Sequence, residues 1–279
     1  MNTKKLSIFF LLVAACLGFQ GTAVHAEPST SGETPVILKM NDYYVLYTEP
    51  KAPYVDSHNR LIVPLRSVSE LLGAQVDYDV TAKTATLSQD NHTVVLMANS
   101  HTAIVNGKTV IMDTQAIEDK GYMFVPLRIL IDSFHISASI GMGGVVELSG
   151  SHLLREGKLK YFMDNDFGSR RVMNTHAFLP LSYSFQTYKE RYLNQVVTVK
   201  SKNISGQDIP RGYEDEHIMF VLGGVTGQED EGPLGNRVRP PVKKDAIVTR
   251  SANAGPDHIS FILFAGRTII PHPQELTMQ

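Results

Sequence analysis

The chain holds a single cysteine, Cys16. No intrachain disulfide can staple it, and its stability must come from an ordinary apolar core. Basic charge is not in excess either: 26 Lys and Arg stand against 28 Asp and Glu, a net charge of −2. That balance excludes the concentrated basic face of a nucleic-acid binder. Beyond the N-terminal region no apolar run reaches the ~20 residues that a membrane-spanning helix needs. Catalytic spacings are missing as well. There is no His-Glu-x-x-His, no Gly-x-Ser-x-Gly and no His-x-His anywhere in the sequence.

The N-terminus reads as an export signal over residues 1–26. Lys4 and Lys5 precede an apolar stretch at 6–18, and Val24-His25-Ala26 places small residues where a signal peptidase cuts. Val13-Ala14-Ala15-Cys16 also resembles a bacterial lipobox, which would leave Cys16 carrying a lipid. Leu17-Gly18-Phe19 extends the apolar stretch past Cys16 and favours ordinary secretion. Loss of Lys4 and Lys5 would take the net charge from −2 to −4. Residues 27–35, rich in Ser, Thr and Pro, read as a linker. About 250 remaining residues leave room for two domains.

What is there, above all, is a repeat. Arg60-Leu61-Ile62-Val63-Pro64-Leu65-Arg66 recurs as Tyr122-Met123-Phe124-Val125-Pro126-Leu127-Arg128, with the two arginines 62 positions apart (128 minus 66). Such a period marks one supersecondary unit built twice, each copy too small to bury its own apolar face. Leu61, Val63 and Leu65 alternate as on a half-buried strand, and Met123, Val125 and Leu127 repeat the pattern. A proline lacks a donor N–H, so each strand should be an edge or end there. Val68, Leu71 and Leu72 then switch to helical spacing, and Gly73 supplies the left-handed residue that closes a helix. The second copy keeps Leu130 and Phe134 but has His135 where Gly73 stood. Alternating residues around polar turns at 79–83 and 141–144 predict a hairpin after each helix. Each copy thus reads strand–helix–hairpin, and the two are expected to form one α+β domain over 36–150.

Val-Pro-Leu-Arg, a short helix ending in Leu72-Gly73-Ala74 and an alternating hairpin together resemble the copper amine oxidase N-terminal-like domain, or stalk domain. Ile104-Val105-Asn106-Gly107-Lys108 is similar to that family's Ile-Asn-Gly-Lys opening, and Lys39-Met40-Asn41 is a weaker version. The resemblance implies a non-catalytic extracytoplasmic module of the kind common in secreted proteins of Gram-positive bacteria. It does not imply copper. Amine oxidases hold that metal with histidines, two of them as His-x-His, and build a quinone from a tyrosine preceded by Asn. Here Tyr213 follows Gly212.

Residues 153–279 read as all-β. Leu179, Leu181, Tyr183 and Phe185 alternate with polar residues or Pro, as do Val197 and Val199, and further runs lie at 217–222, 246–250 and 258–265. Short alternating strands between polar turns predict an immunoglobulin-like sandwich.

Candidates for chemistry are few. Arg66 and Arg128 offer rigid forks of five donors, suited to tying strand to hairpin through carbonyls or a carboxylate such as Asp79; the competing reading makes them anion or glycan contacts. Asp164-Asn165-Asp166-Phe167-Gly168-Ser169 resembles the start of a calcium loop, but Thr175 stands where the distal glutamate belongs, so it reads as a polar turn. Glu214-Asp215-Glu216-His217 reads as a charged, solvated flank ahead of a strand. His176, His258 and His272 are isolated. Between residues 223 and 245 a Gly- and Pro-rich stretch carries Glu229, Asp230 and Glu231 ahead of Arg237 and Arg239, a candidate partner-binding loop.

The expectation is therefore a non-enzymatic secreted or envelope-associated protein without cofactor or metal, acting in adhesion or in contact with a cell-envelope component or extracellular protein. The alternative is an extracellular hydrolase of wall polymers or peptides, using Asp and Glu as acid and base.

Overall fold

Val63 and Val125, the matching residues of the two repeats, lie opposite each other. Their strands, Leu61–Pro64 and Tyr122–Pro126, pair antiparallel, with Phe124 across from Pro64 and Pro126 across from Ile62. Both valines are fully buried. In this computed structural model, residues 34–155, 157–164, 166–188, 194–223, 226, 227, 238–255, 258–271 and 273 are described. The expected signal peptide 1–26, Cys16 and most of the expected linker lie outside them, as do Glu229, Asp230, Glu231 and Arg237.

The described residues fall into two compact units, one from 34–41 and 48–160, the other from 42–47 and the described residues from 161 onward. In the first, the paired repeat strands are central in a five-stranded sheet, with Tyr54–Val55 and Thr34–Pro35 on one side and Ile117–Asp119 on the other. Each proline ends its strand and leads straight into a helix. Pro64 precedes Leu65–Leu71 and Pro126 precedes Leu127–Ser133, and both prolines hold an extended backbone. The missing N–H is harmless there, because the following turn needs no donor from it. Gly73 then turns left-handed at φ +84°, and His135 does the same at φ +54°. At Gly73 a Cβ would come 2.7 Å from the carbonyl oxygen of His152, so a side chain is excluded by contact as well as by conformation.

After the helices the copies diverge. The hairpin Gln75–Asp79 with Thr84–Gln89 continues through His92–Met97, Thr102–Val105 and Lys108–Ile111 into a five-stranded antiparallel sheet. The hairpin Ser137–Ile140 with Val146–Ser149 instead pairs parallel with Leu38–Met40. The chain is accordingly mostly β, arranged in several sheets, and its helices are as short as seven residues. This is more strand than the α+β expectation implies.

The second unit contains a three-stranded sheet of Phe178–Tyr188, Asn194–Asn203 and Ile247–Asn253. Its other strands include Glu214–Leu222 paired with Ile259–Ile269, which also pairs with Val172–Asn174 and has Tyr43–Thr48 as a neighbour. Glu214–Leu222 is buried along its whole length and Ile259–Ile269 almost so. Both faces are covered, which explains the near-continuous apolar runs 218–222 and 261–265. Gly266 makes the close approach possible: a Cβ there would lie 2.4 Å from the carbonyl oxygen of Phe178.

Candidate functional site

The strand Glu214–Leu222 opens with four titratable residues. Strand alternation sends Glu214 and Glu216 to one face and Asp215 and His217 to the other. None is solvated: their exposures are 1%, 5%, 1% and 7% in chain order. The reading of this run as a solvated flank is thus corrected. The residues belong to the strand itself, and arginines brought from far along the chain make their burial affordable.

On the first face, Arg250 from Ile247–Asn253 donates from Nε to Glu214 Oε1 at 2.7 Å and from Nη2 to Glu214 Oε2. Arg239 Nε stands 3.9 Å from Glu214 Oε1. Glu216 is served less well. The Ser201 hydroxyl donates to its Oε1, Arg250 Nε lies 3.6 Å from its Oε2, and that oxygen accepts no hydrogen bond among the described residues. Burial, with the Glu214 carboxylate beside it, pushes Glu216 up to about 8.

On the second face, Arg267 is the hub. It donates from Nη1 and Nη2 to both carboxylate oxygens of Asp166, at 2.7 and 2.6 Å, and from Nε to Asp215 at 2.5 Å. The Tyr43 hydroxyl donates to Asp166 at 2.7 Å. Asp166 also caps the 3₁₀ turn Phe167–Arg171, accepting from the Ser169 amide. Burial alone would raise the Asp166 carboxyl, but Arg267 outweighs it and holds the group below the ordinary carboxylate range. Burial and then Asp166 push the Tyr43 phenol well above its ordinary value. His217 Nε2 has no hydrogen-bond partner among the described residues.

The residues singled out in the sequence do not gather into one site. Leu65 and Leu127 are buried first residues of their helices. Arg66 donates from Nη1 to the carbonyl of Val76 in the first hairpin at 3.4 Å, whereas Arg128 Nε lies 3.5 Å from Asp132 on its own helix. Asp79 accepts from the amides of Thr81 and Ala82. Asp164 ends the helix Gly157–Asp164, and Asp166 is an interior ion-pair partner. Of the five charged residues named in the candidate loop, Arg239 alone is described, partly buried beside Glu214.

Sequence reasoning missed Arg250, Arg267 and Tyr43, and read Asp166 only as part of a polar turn. One signal was available. Arg267 interrupts the apolar run Phe261-Ile262-Leu263-Phe264-Ala265 and Ile269-Ile270, and a charge so placed demands a buried counter-charge. Among the described residues no three His, Cys, Asp or Glu side chains come together as a metal-binding group. Nor is any described helix long and apolar enough to cross a membrane.

Residues 39–141 match the family model of the copper amine oxidase N-terminal domain. The match takes in both Val-Pro-Leu-Arg segments and both helices that follow them, in agreement with the resemblance carried by those residues. It does not reach the carboxylates at 214–216. No curated protein matches the chain.

Proposed function

We propose that this chain is an exported, envelope-facing protein of Gram-positive type that binds without catalysing. In this reading residues 36–150 form a duplicated stalk-like spacer or adhesion module. Residues 153–279 form an immunoglobulin-like head that meets a cell-envelope component or an extracellular protein. The observation that carries the reading is the match of 39–141 to a domain that is non-catalytic in its family. The second unit lends support, because Glu214, Asp215 and Asp166 are committed to arginines in the interior. A two-carboxylate hydrolase of wall glycans needs an acid and a base roughly 5–10 Å apart in an open groove. The pair Glu214 and Glu216, on one face of their strand, is 1% exposed at each position, which weighs against that alternative.

The test mixes residues 27–279 at micromolar concentration with isolated Gram-positive envelopes and with extracellular protein, and follows bound chain and released soluble fragments together. Saturable binding without fragments is expected. Release of soluble fragments that rises with time and with chain concentration would establish the hydrolase instead. The mass of the native N-terminus decides the anchor: Glu27 at the start means free secretion, a lipidated Cys16 means attachment.

A further inference from the structure

Glu214 and Glu216 lie two residues apart on one face of a strand, inside the second unit, and the cations around them are unevenly shared. Arg250 closes on both oxygens of Glu214, and Arg239, whose Nε lies 3.9 Å from Glu214 Oε1, lends its charge to Glu216 as well. Glu216 is left with a neutral hydroxyl from Ser201 and a guanidinium nitrogen at 3.6 Å, beyond hydrogen-bond reach. An ionised carboxylate so placed has lost its water, while the guanidinium it shares is hydrogen-bonded to Glu214 instead. A proton on Glu216 removes that penalty and the repulsion from Glu214.

The remaining neighbours are uncharged or belong to the opposite face. From Ile259–Ile269, Thr268 stands opposite Glu214 and Gly266 opposite Glu216. From Phe178–Tyr188, the Tyr183 phenol is pushed up by burial and stays neutral. Tyr213, just ahead of the strand, packs on the apolar cluster of Ala177, Phe178, Ile209 and Val242. Asp215, His217 and Arg267 belong to the opposite face, where Arg267 bonds Asp166 and Asp215.

We propose that Glu216, paired with Glu214, is a proton-dependent clamp. Protonated, it holds the strand Glu214–Leu222 against the sheet that supplies Ser201 and Arg250; when the medium turns alkaline the clamp loosens. The direction follows from linkage. The folded chain holds this proton to a higher pH than the unfolded chain, whose carboxyl titrates near 4.5. The clamp's contribution is therefore full below that ordinary value and is lost as pH rises through about 8. For a protein facing a medium whose pH is not buffered by a cytoplasm, this makes the second unit responsive to its surroundings.

Hydrogen exchange on residues 27–279 between pH 5.5 and 9, corrected for intrinsic rates, tests it. Protection in Asn194–Asn203 and Ile247–Asn253 is expected to fall by about tenfold or more across this range, as loss of one bound proton allows. Protection in Leu61–Pro64 and Tyr122–Pro126 is expected to stay level. Glu216→Gln, which keeps the shape without the titration, should flatten the fall. Glu214→Gln, which removes the repelling neighbour, should move the fall by about one pH unit or more. That second variant decides the matter if Glu216→Gln does not fold. A wild-type profile retained in the variants, or a loss of protection spread evenly over both units, would overturn the proposal.

Discussion

At the scale of the residue, the weight of the second unit rests on Arg267. Its side chain is 4% exposed and its guanidinium is shared by Asp166 and Asp215, while Tyr43 braces Asp166 from a distant part of the chain. Removing one member strands the others in the interior, which costs about 3 kcal/mol or more. Asp166→Asn is accordingly expected to lower stability by about 3 kcal/mol in urea unfolding at neutral pH, and Tyr43→Phe by about 1 kcal/mol. Because Arg267 holds the Asp166 carboxyl low, its contribution is present above the ordinary value of 3.8 and fades as pH falls through the folded one. The difference between Asp166→Asn and the parent chain should shrink accordingly as the medium is acidified. None of this was legible in a local window. Glu214-Asp215-Glu216-His217 beside an apolar run looks like any solvated flank, and its partners lie at 201, 239, 250 and 267. The left-handed residue was legible, because Gly73 follows a run of helical spacing and only local sterics decide its conformation.

At the scale of the element, the change of period at Val-Pro-Leu-Arg was readable because two local rules agree. A proline ends a strand's hydrogen bonding, and the next apolar residues fall on one helical face. The structure places the two such strands side by side, with Val63 against Val125. Where the hairpins would go was not readable. One extends a meander and the other joins Leu38–Met40 in parallel, a partner more than a hundred residues away that no periodicity names. The valine contact makes a prediction. Val63→Ala and Val125→Ala should each cost about 2 kcal/mol. Their double variant should cost less than the sum by about 0.5 kcal/mol or more, as residues in contact do. Additive losses would mean that the two positions do not share one interior.

At the scale of the whole molecule, the two units interleave along the chain. The stretch 39–141 that matches the copper amine oxidase N-terminal domain includes residues 42–47, yet those residues belong to the second unit. There they supply a neighbour for Ile259–Ile269 and the hydroxyl that grips Asp166. A linear reading divides the chain near residue 150 because composition and pattern change there. It has no means of seeing one short strand that folds with the far half. The second unit is completed by this strand and by the buried charges that its Tyr43 braces. Urea unfolding of residues 153–279 alone, beside residues 27–279, tests that most directly. The shorter chain is expected to show no cooperative transition. A cooperative transition at the midpoint of the longer chain's second unit would contradict the claim.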